Sequence, residues 1–268
     1  EDYTNRGSII TPLKDRIESQ ITTHYPTSID IGRKITEQES RITAEQRERI
    51  RIPEMLKNLI EEIAFAARDS EFVDKKSGVS ARLTISAYEN LYSTAERRLL
   101  RNGEDNTTAR ITDFWGVIPA LTGKVEMVYE GEQEGPYVVA LNIIGEALKK
   151  VFLQYFANPS KLKRGQERDP YGVIKAWFSA GNVVDLFTDL PNKQFYKELD
   201  QVAGLTKVAE AAGVDKGDMY TFMELALHGL SEFEVLSKEF VQTKWVFKDF
   251  LTGNLKDEDE DDMRDLFN

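Results

Sequence analysis

Apolar residues recur every three or four positions along most of the chain, and this spacing predicts a mainly helical fold. The clearest of these helices is predicted after Pro53. Proline is favoured in the first turn of a helix, so Pro53 marks its start. Its apolar stripe consists of Met55, Leu56, Leu59, Ile60, Ile63, Ala64 and Ala67. The same spacing predicts further helices over 27–39, 136–156, 173–178, 193–211 and 218–239.

A second long stripe runs from Ser80 to Gly103, and both ends carry helix signals. Serine caps helix N-termini and glycine stops helices, so we predict a helix between these two residues. Its apolar positions are Leu83, Ala87, Tyr88, Leu91, Tyr92, Ala95 and Leu99. Arg82 then lies in the first turn, at the end of the helix dipole that favours bound phosphate. Such an arginine either reads the state of a bound nucleotide or pairs with Asp69 or Asp74.

One segment, 19–25, has the alternation typical of a strand and is bounded by Pro26. A lone strand leaves its backbone groups unpaired, so we expect it to join a sheet formed by residues outside this sequence. Polar residues at 103–108 and 158–169 predict a linker and an exposed loop. We therefore expect four parts: the end of a larger core over 1–26, a compact helical subdomain over 27–102, a second helical domain over 103–252 and an acidic tail over 253–268.

Composition and charge exclude several functions. With 46 acidic and 35 basic residues the net charge is -11, which disfavours nucleic acid as a partner. A chain without Cys forms neither disulfides nor thiolate metal sites, which fits a reducing cytoplasm. His24 and His228 are far apart in sequence, so we predict no metal centre and expect His228 on a helix face. The longest nearly uncharged apolar stretch, 137–144, is too short to cross a bilayer, so we expect a cytoplasmic protein.

Arginines are the remaining candidates for chemistry. No Gly-x-x-x-x-Gly-Lys-Ser/Thr sequence is present, so the chain alone is expected neither to bind nor to hydrolyse ATP. Arg16 follows Pro12, which can begin a short helix. A guanidinium at such a turn can neutralise the γ-phosphate of a nucleotide held by an adjacent subunit. The alternative is an ordinary surface ion pair between Arg16 and Asp15.

Two segments carry a family resemblance. The sequence EDYTNRGSIITPLKDRI, followed by SQITTHYP, resembles the sensor 1 to arginine-finger region of AAA+ ATPases of the MoxR and magnesium chelatase branch. The later sequence SGVSARLTISAYENLYSTAERR is similar to their lid helix. The resemblance covers 1–102 and implies that Arg16 is a catalytic finger acting in trans and that Arg82 is the sensor 2 arginine. Arg6 would assist at the same nucleotide.

The resemblance also implies a fold and a set of partners. The fold would combine a remnant of an α/β AAA+ core, a helical lid and an additional helical domain. The complete protein would use ATP and Mg²⁺, form a ring of six subunits, and remodel a partner such as a von Willebrand A-type domain protein, or insert a metal. No cofactor is expected on this chain alone. A nucleotide-independent helical adaptor stays open as the alternative, with Trp115, Trp177 and Trp245 as core or interface anchors.

Overall fold

The structure is a computed structural model that describes residues 16–19, 21, 23–75, 78–162 and 169–251. Over these ranges the chain is mainly helical, as predicted. The helices are α1 (Ile29–Glu39), α2 (Ala44–Arg49), α3 (Glu54–Asp69), α4 (Leu83–Asn102), α5 (Ile118–Thr122), α6 (Tyr129–Glu134), α7 (Pro136–Tyr155), α8 (Gly172–Ser179), α9 (Asn192–Asp200), α10 (Leu205–Ala211) and α11 (Met219–Glu232). The strands are β1 (Ile50–Arg51), β2 (Thr107–Thr108), β3 (Val184–Phe187), β4 (Leu236–Val241) and β5 (Lys244–Asp249). A 3₁₀ helix, Ile111–Gly116, precedes α5.

Most of the predicted helices are confirmed. The helices α1, α3, α4, α7 and α8 occupy the segments where the apolar spacing predicts them. Helix α4 ends as expected at Gly103, whose φ of 63° lies in the left-handed region. Its start differs, because Arg82 is the N-cap residue and the Ser80 hydroxyl oxygen instead accepts the Arg82 N–H at 3.2 Å. The predicted helix over 193–211 is divided into α9 and α10, since the chain turns at Gly204 with φ 86°.

The expectation that 19–25 is the only strand of this sequence is wrong. The described residues of that segment form no strand, whereas β3, β5 and β4 form an antiparallel sheet in that order. The predicted helix over 218–239 is also too long. Helix α11 ends at Glu232, and Glu234, with φ 57°, turns the chain into β4. Because a positive φ is uncommon for residues other than glycine, the sequence gives no clear stop signal there.

A short parallel strand pair links the segments before α3 and after α4. Ile50 pairs with Thr107, and Arg51 pairs with Thr108. The predicted linker over 103–108 therefore contributes β2 to this pair.

One continuous hydrophobic core runs through the helices. Helix α1 packs against α3 and α4, α3 packs along α7, and α7 packs against α11. At the α3–α7 contact, Leu59, Ile63, Val151 and Phe152 are fully buried. The core thus crosses position 103, and the division of the chain into domains stays a prediction. Among the described residues, no helix combines the length and apolar character that a membrane span requires.

Candidate functional site

Of the three arginines predicted to contact a nucleotide, the structure describes Arg16 and Arg82. Arg6 lies outside the described residues. Arg16 lies in an exposed turn, and Arg82 is exposed immediately before α4. Arg16 is not among the residues that line the surface pocket beside Arg82. The roles assigned to these arginines from the sequence remain predictions.

Arg82 borders a surface pocket of about 410 Å³ at the start of α4. The other lining residues are Glu39, Arg41, Ile85, Ser86 and Glu89. Within the described ranges the Arg82 guanidinium has no hydrogen bond and no ion pair. Asp69, one of its predicted partners, pairs instead with Lys150, whose Nζ lies 3.4 Å from Asp69 Oδ2. None of the described residues therefore occupies the five donors of the Arg82 guanidinium.

A buried hydrogen-bond chain fixes the first turn of α4. The Thr36 hydroxyl of α1 donates to Glu61 Oε1 of α3 at 2.6 Å, and the Thr36 oxygen lies 2.8 Å from Thr84 Oγ1 of α4. Because Thr36 has one hydroxyl proton, Thr84 must be the donor in the second bond. Gly32 leaves the space that the Glu61 carboxylate fills beside α1. Thr84 stands two residues after Arg82, so these hydrogen bonds hold the backbone close to Arg82.

Replacing Glu61 with glutamine is expected to remove the contribution of Glu61 to the pH dependence of the free energy of unfolding. Burial raises the pKa of Glu61 from 4.5 to about 6, although the Thr36 hydrogen bond opposes the shift. The folded protein therefore binds more protons than the unfolded chain between these two pH values. The free energy of unfolding then falls as pH rises through this window, by about 2 kcal/mol for this group. Glutamine has no such proton and can still accept the Thr36 hydrogen bond.

Urea unfolding of both proteins below and above this window measures the effect. The difference in free energy of unfolding between the glutamine variant and the wild type is expected to shift by about 2 kcal/mol in favour of the variant from the lower to the higher pH. Other groups, including Glu224, titrate in both proteins and cancel in the difference. Parallel pH profiles for the two proteins would show that the Glu61 carboxyl is not perturbed by burial.

The far end of α4 is anchored by a buried ion pair. Arg98 is 2% exposed and Asp113 is fully buried. Arg98 Nη2 lies 2.8 Å from Asp113 Oδ2, and Arg98 Nε lies 3.1 Å from Asp113 Oδ1. The same guanidinium donates to Thr107 Oγ1 at 2.7 Å and to the Thr108 carbonyl at 3.0 Å. Arg98 therefore joins α4 to β2 and to the 3₁₀ helix.

A second buried arginine extends this ionic network to α9. Arg110 donates to the Leu190 carbonyl and to Asn192 Oδ1, each at 2.8 Å. Its guanidinium carbon lies 3.9 Å from the centre of the Phe195 ring. Burial and the neighbouring charge of Arg98 lower the pKa of Arg110 to about 10, which leaves it charged at neutral pH.

Glu224 ties α11 to the same network. Its carboxylate is fully buried and accepts the N–H groups of Ile111 and Thr112 at 2.8 and 2.6 Å, so it caps the 3₁₀ helix. Burial raises the pKa of Glu224 to about 7, while the two backbone hydrogen bonds and Arg110 oppose the shift. The network thus connects α4, the 3₁₀ helix, α9 and α11. Its charged members, Arg98, Asp113, Arg110 and Glu224, are all buried, so its role is to hold these elements together.

None of the network residues was predicted from the sequence as part of a site. A usable signal exists for Arg98, which stands three residues after Ala95 and seven after Leu91, on the apolar stripe of α4. Glu224 likewise interrupts an apolar run in α11. Charged residues at buried positions require partners, so both positions could have been marked for attention.

A separate cavity of about 430 Å³ lies between the 3₁₀ helix, α7, α11 and the β4–β5 hairpin. Trp115, Trp245 and His228 contribute to its lining. His228 lies on α11, as expected for a helix-face residue, and it is buried. Trp177 lies outside this lining and packs edge-on against Phe178, with ring centroids 4.9 Å apart.

Comparison of the chain with family models, with curated proteins and with solved structures gives no match. In the part of the chain that the structure describes, no group of three or more His, Asp or Glu side chains is arranged to hold a metal ion. Helix α4 combines two features that bear on function: an exposed arginine before its first residue and a buried ionic anchor near its last.

Proposed function

We propose that this chain is the C-terminal portion of a cytoplasmic, ring-forming AAA+ ATPase of the MoxR and magnesium chelatase type. The observation that carries the proposal is the exposed guanidinium of Arg82, which has no partner within the described residues and stands at the N-terminus of α4. Arginine at this end of a helix is suited to a phosphate, because the helix dipole and the guanidinium attract the same charge.

The anchoring of α4 supports a role in coupling nucleotide state to movement. The helix has 20 residues and is therefore about 30 Å long. Thr84 fixes its first turn to α1 and α3, and Arg98 fixes its last turns to the C-terminal half of the chain. A displacement of Arg82 on ATP hydrolysis would be carried along this rigid helix to α9 and α11.

In the complete protein, ATP and Mg²⁺ would lie between neighbouring subunits of a six-membered ring. Arg82 would contact the nucleotide from its own lid, and Arg16 and Arg6 would contact it from the adjacent subunit. The energy of hydrolysis would remodel a partner protein, for which a von Willebrand A-type domain is the candidate class. Metal insertion is the narrower version of the same activity.

The test of this function is an Arg82→Ala substitution in the complete protein. Loss of a charge-assisted contact to phosphate is expected to weaken ATP binding and turnover by about ten- to hundredfold. The matched control is Arg41→Ala, because Arg41 is an exposed arginine on the same pocket. The control is expected to stay within about twofold of the wild type.

Unchanged ATP binding and turnover in Arg82→Ala would remove the sensor 2 assignment. Equal losses in both variants would assign the effect to the general charge of the pocket. The reading frame upstream of Glu1 provides a simpler test, since an ATPase must encode a phosphate-binding Gly-x-x-x-x-Gly-Lys-Ser/Thr loop there. A start codon close to Glu1 without that loop would favour the adaptor.

A further inference from the structure

Tyr25 lies at the end of the segment that carries Arg16 and contacts the loop that carries Arg82. Its hydroxyl donates a hydrogen bond to the Val79 carbonyl at 2.6 Å, and Val79 stands three residues before Arg82. We propose that Tyr25 is a positioning residue that couples Arg16 to Arg82 and thereby links the two nucleotides that one subunit contacts. This role rests on the proposed function, in which Arg82 contacts the nucleotide of its own subunit and Arg16 that of the neighbour.

The side chain of Tyr25 is held at both its ring and its hydroxyl. The guanidinium carbon of Arg68, on α3, lies 4.0 Å from the ring centroid, a distance at which a cation is attracted to the face of an aromatic ring. Beside the hydroxyl, Gly78 provides space, because a Cβ at this position would lie 2.9 Å from the hydroxyl oxygen. Gly78 also has a φ of 63°, a conformation that favours glycine. The hydroxyl therefore fits closely against this loop, and the ring lies against α3.

The loop that accepts this hydrogen bond is itself fixed. Val79 is buried and forms an antiparallel bridge with Val125. The Ser80 N–H donates to the Lys124 carbonyl at 3.0 Å, and the Ser80 hydroxyl accepts the Arg82 N–H. The Val79 carbonyl is therefore an acceptor whose position is defined relative to Arg82 and the start of α4.

The residues before Tyr25 have no comparable attachment. Among residues 16–25, those that the structure describes are exposed, and they make one hydrogen bond to the rest of the described chain, the bond from Tyr25. Arg16 precedes Tyr25 by nine residues, so this anchor keeps Arg16 within about 32 Å even in a fully extended chain. Without the anchor, the next fixed residue is Ile29 at the start of α1, and the limit rises to about 47 Å. Tyr25 therefore restricts where Arg16 can lie relative to Arg82.

The contact provides a route from one nucleotide to the next. In the proposed ring, ATP hydrolysis would displace Arg82 together with α4 and the loop before it. Because the Tyr25 hydroxyl is bonded to that loop, the segment that carries Arg16 would be displaced with it. Turnover at one site then depends on the nucleotide state of the next, and such coupling typically changes an affinity by about 5- to 150-fold. The complete protein is therefore expected to respond cooperatively to ATP.

The coupling is tested by the dependence of ATP turnover on ATP concentration in the complete protein. We expect a Hill coefficient of about 1.5 or more for the wild type and of about 1 for Tyr25→Ala, because linked sites give a sigmoidal response and independent sites do not. Tyr25 is 41% exposed, so its replacement leaves the core intact. The matched control is Tyr129→Ala, since Tyr129 is an exposed tyrosine whose hydroxyl accepts a hydrogen bond from Gln133 of its own helix. The control is expected to keep the Hill coefficient of the wild type.

Two results would overturn the coupling role. One is a wild type that shows no cooperativity, and the other is an unchanged Hill coefficient in Tyr25→Ala. A merely structural role of Tyr25 would lower the maximal rate with the folded fraction and leave the Hill coefficient as it is. Absence of ATP turnover in the wild type would contradict the proposed function itself, and the coupling role would fall with it.

The anchor itself is measured on this chain without ATP. The sequence contains no Cys, so Thr23→Cys and Ser93→Cys introduce two unique sites for spin labels, both at exposed positions. Pulsed electron paramagnetic resonance gives the distribution of distances between the labels. Replacing Tyr25 with alanine is expected to widen this distribution by about 1.5-fold, because the chain between Thr23 and the next fixed residue grows from two residues to six.

A Tyr25→Phe variant separates the two contacts of the side chain. Phenylalanine keeps the ring beside Arg68 and removes the hydrogen bond to Val79. The width of its distance distribution is expected to lie between those of the wild type and Tyr25→Ala. A width in Tyr25→Ala equal to that of the wild type would overturn the anchor and the coupling through it, while the proposed ATPase function would stand.

Discussion

Replacement of Arg98 by alanine is expected to lower the free energy of unfolding by about 3–5 kcal/mol, because it leaves a buried carboxylate without its cation. Asp113 is fully buried and receives two hydrogen bonds from Arg98. The substitution also leaves Thr107 Oγ1 and the Thr108 carbonyl without their guanidinium donor. Urea unfolding followed by circular dichroism measures the loss.

Arg101→Ala is the matched control for this effect. Arg101 lies on the same helix and pairs with Asp189 at 3.2 Å, but its side chain is 61% exposed. Loss of an exposed ion pair changes stability by less than about 1 kcal/mol. A similar loss for both variants would mean that the buried pair contributes no more than a surface pair, and the anchoring role of Arg98 would be withdrawn.

If the proposed function holds, replacement of Arg16 by alanine in the complete protein is expected to lower ATP turnover by about three to five orders of magnitude while leaving nucleotide binding largely intact. An arginine finger neutralises charge that develops on the transferring phosphoryl group, so its loss affects the transition state more than the bound ground state. Steady-state ATPase rates and equilibrium ATP binding separate the two effects. Normal turnover in the variant would retire the finger assignment.

A mixing experiment tests whether Arg16 acts on the nucleotide of a neighbour. Arg16→Ala subunits retain a normal Arg82, and Arg82→Ala subunits retain a normal Arg16. In mixed rings, an Arg16→Ala subunit beside an Arg82→Ala subunit would form one interface with both arginines intact. Turnover is therefore expected to rise above that of either variant alone. A finger acting within its own subunit would give no such recovery.

The helical part of the fold could be predicted because its stripes are long and regular. Helices α3, α4 and α7 each place apolar residues at helical spacing over many turns, and α4 carries the Gly103 stop signal. The β4–β5 hairpin could not be predicted in this way. Its two-residue turn is Gln242–Thr243, with Gln242 at φ 58°, and it lacks the Asn-Gly type of sequence that marks such turns.

The candidate sites were less predictable, because their residues meet only in the folded chain. Arg98 and Asp113 lie on different elements, and Arg110 reaches Asn192 from far along the sequence. The cavity is built from an equally dispersed set, in which Trp115 and Trp245 are separated by most of the C-terminal half. In contrast, Arg82 could be singled out because its position depends only on the local start of α4.

The ion pair between Arg98 and Asp113 has a consequence for how this protein can be divided. Together with the contact between α3 and α7, this ion pair connects the residues before position 103 to the residues after it. Cleavage of the backbone at position 103 would leave Arg98 and Asp113 in separate fragments, each without its partner. It would also expose the apolar surface that each fragment buries against the other. Recombinant fragments that end at position 103 would be prone to misfolding and aggregation. Exchange of one half for the corresponding half of another protein would require compensating substitutions in the half that is kept.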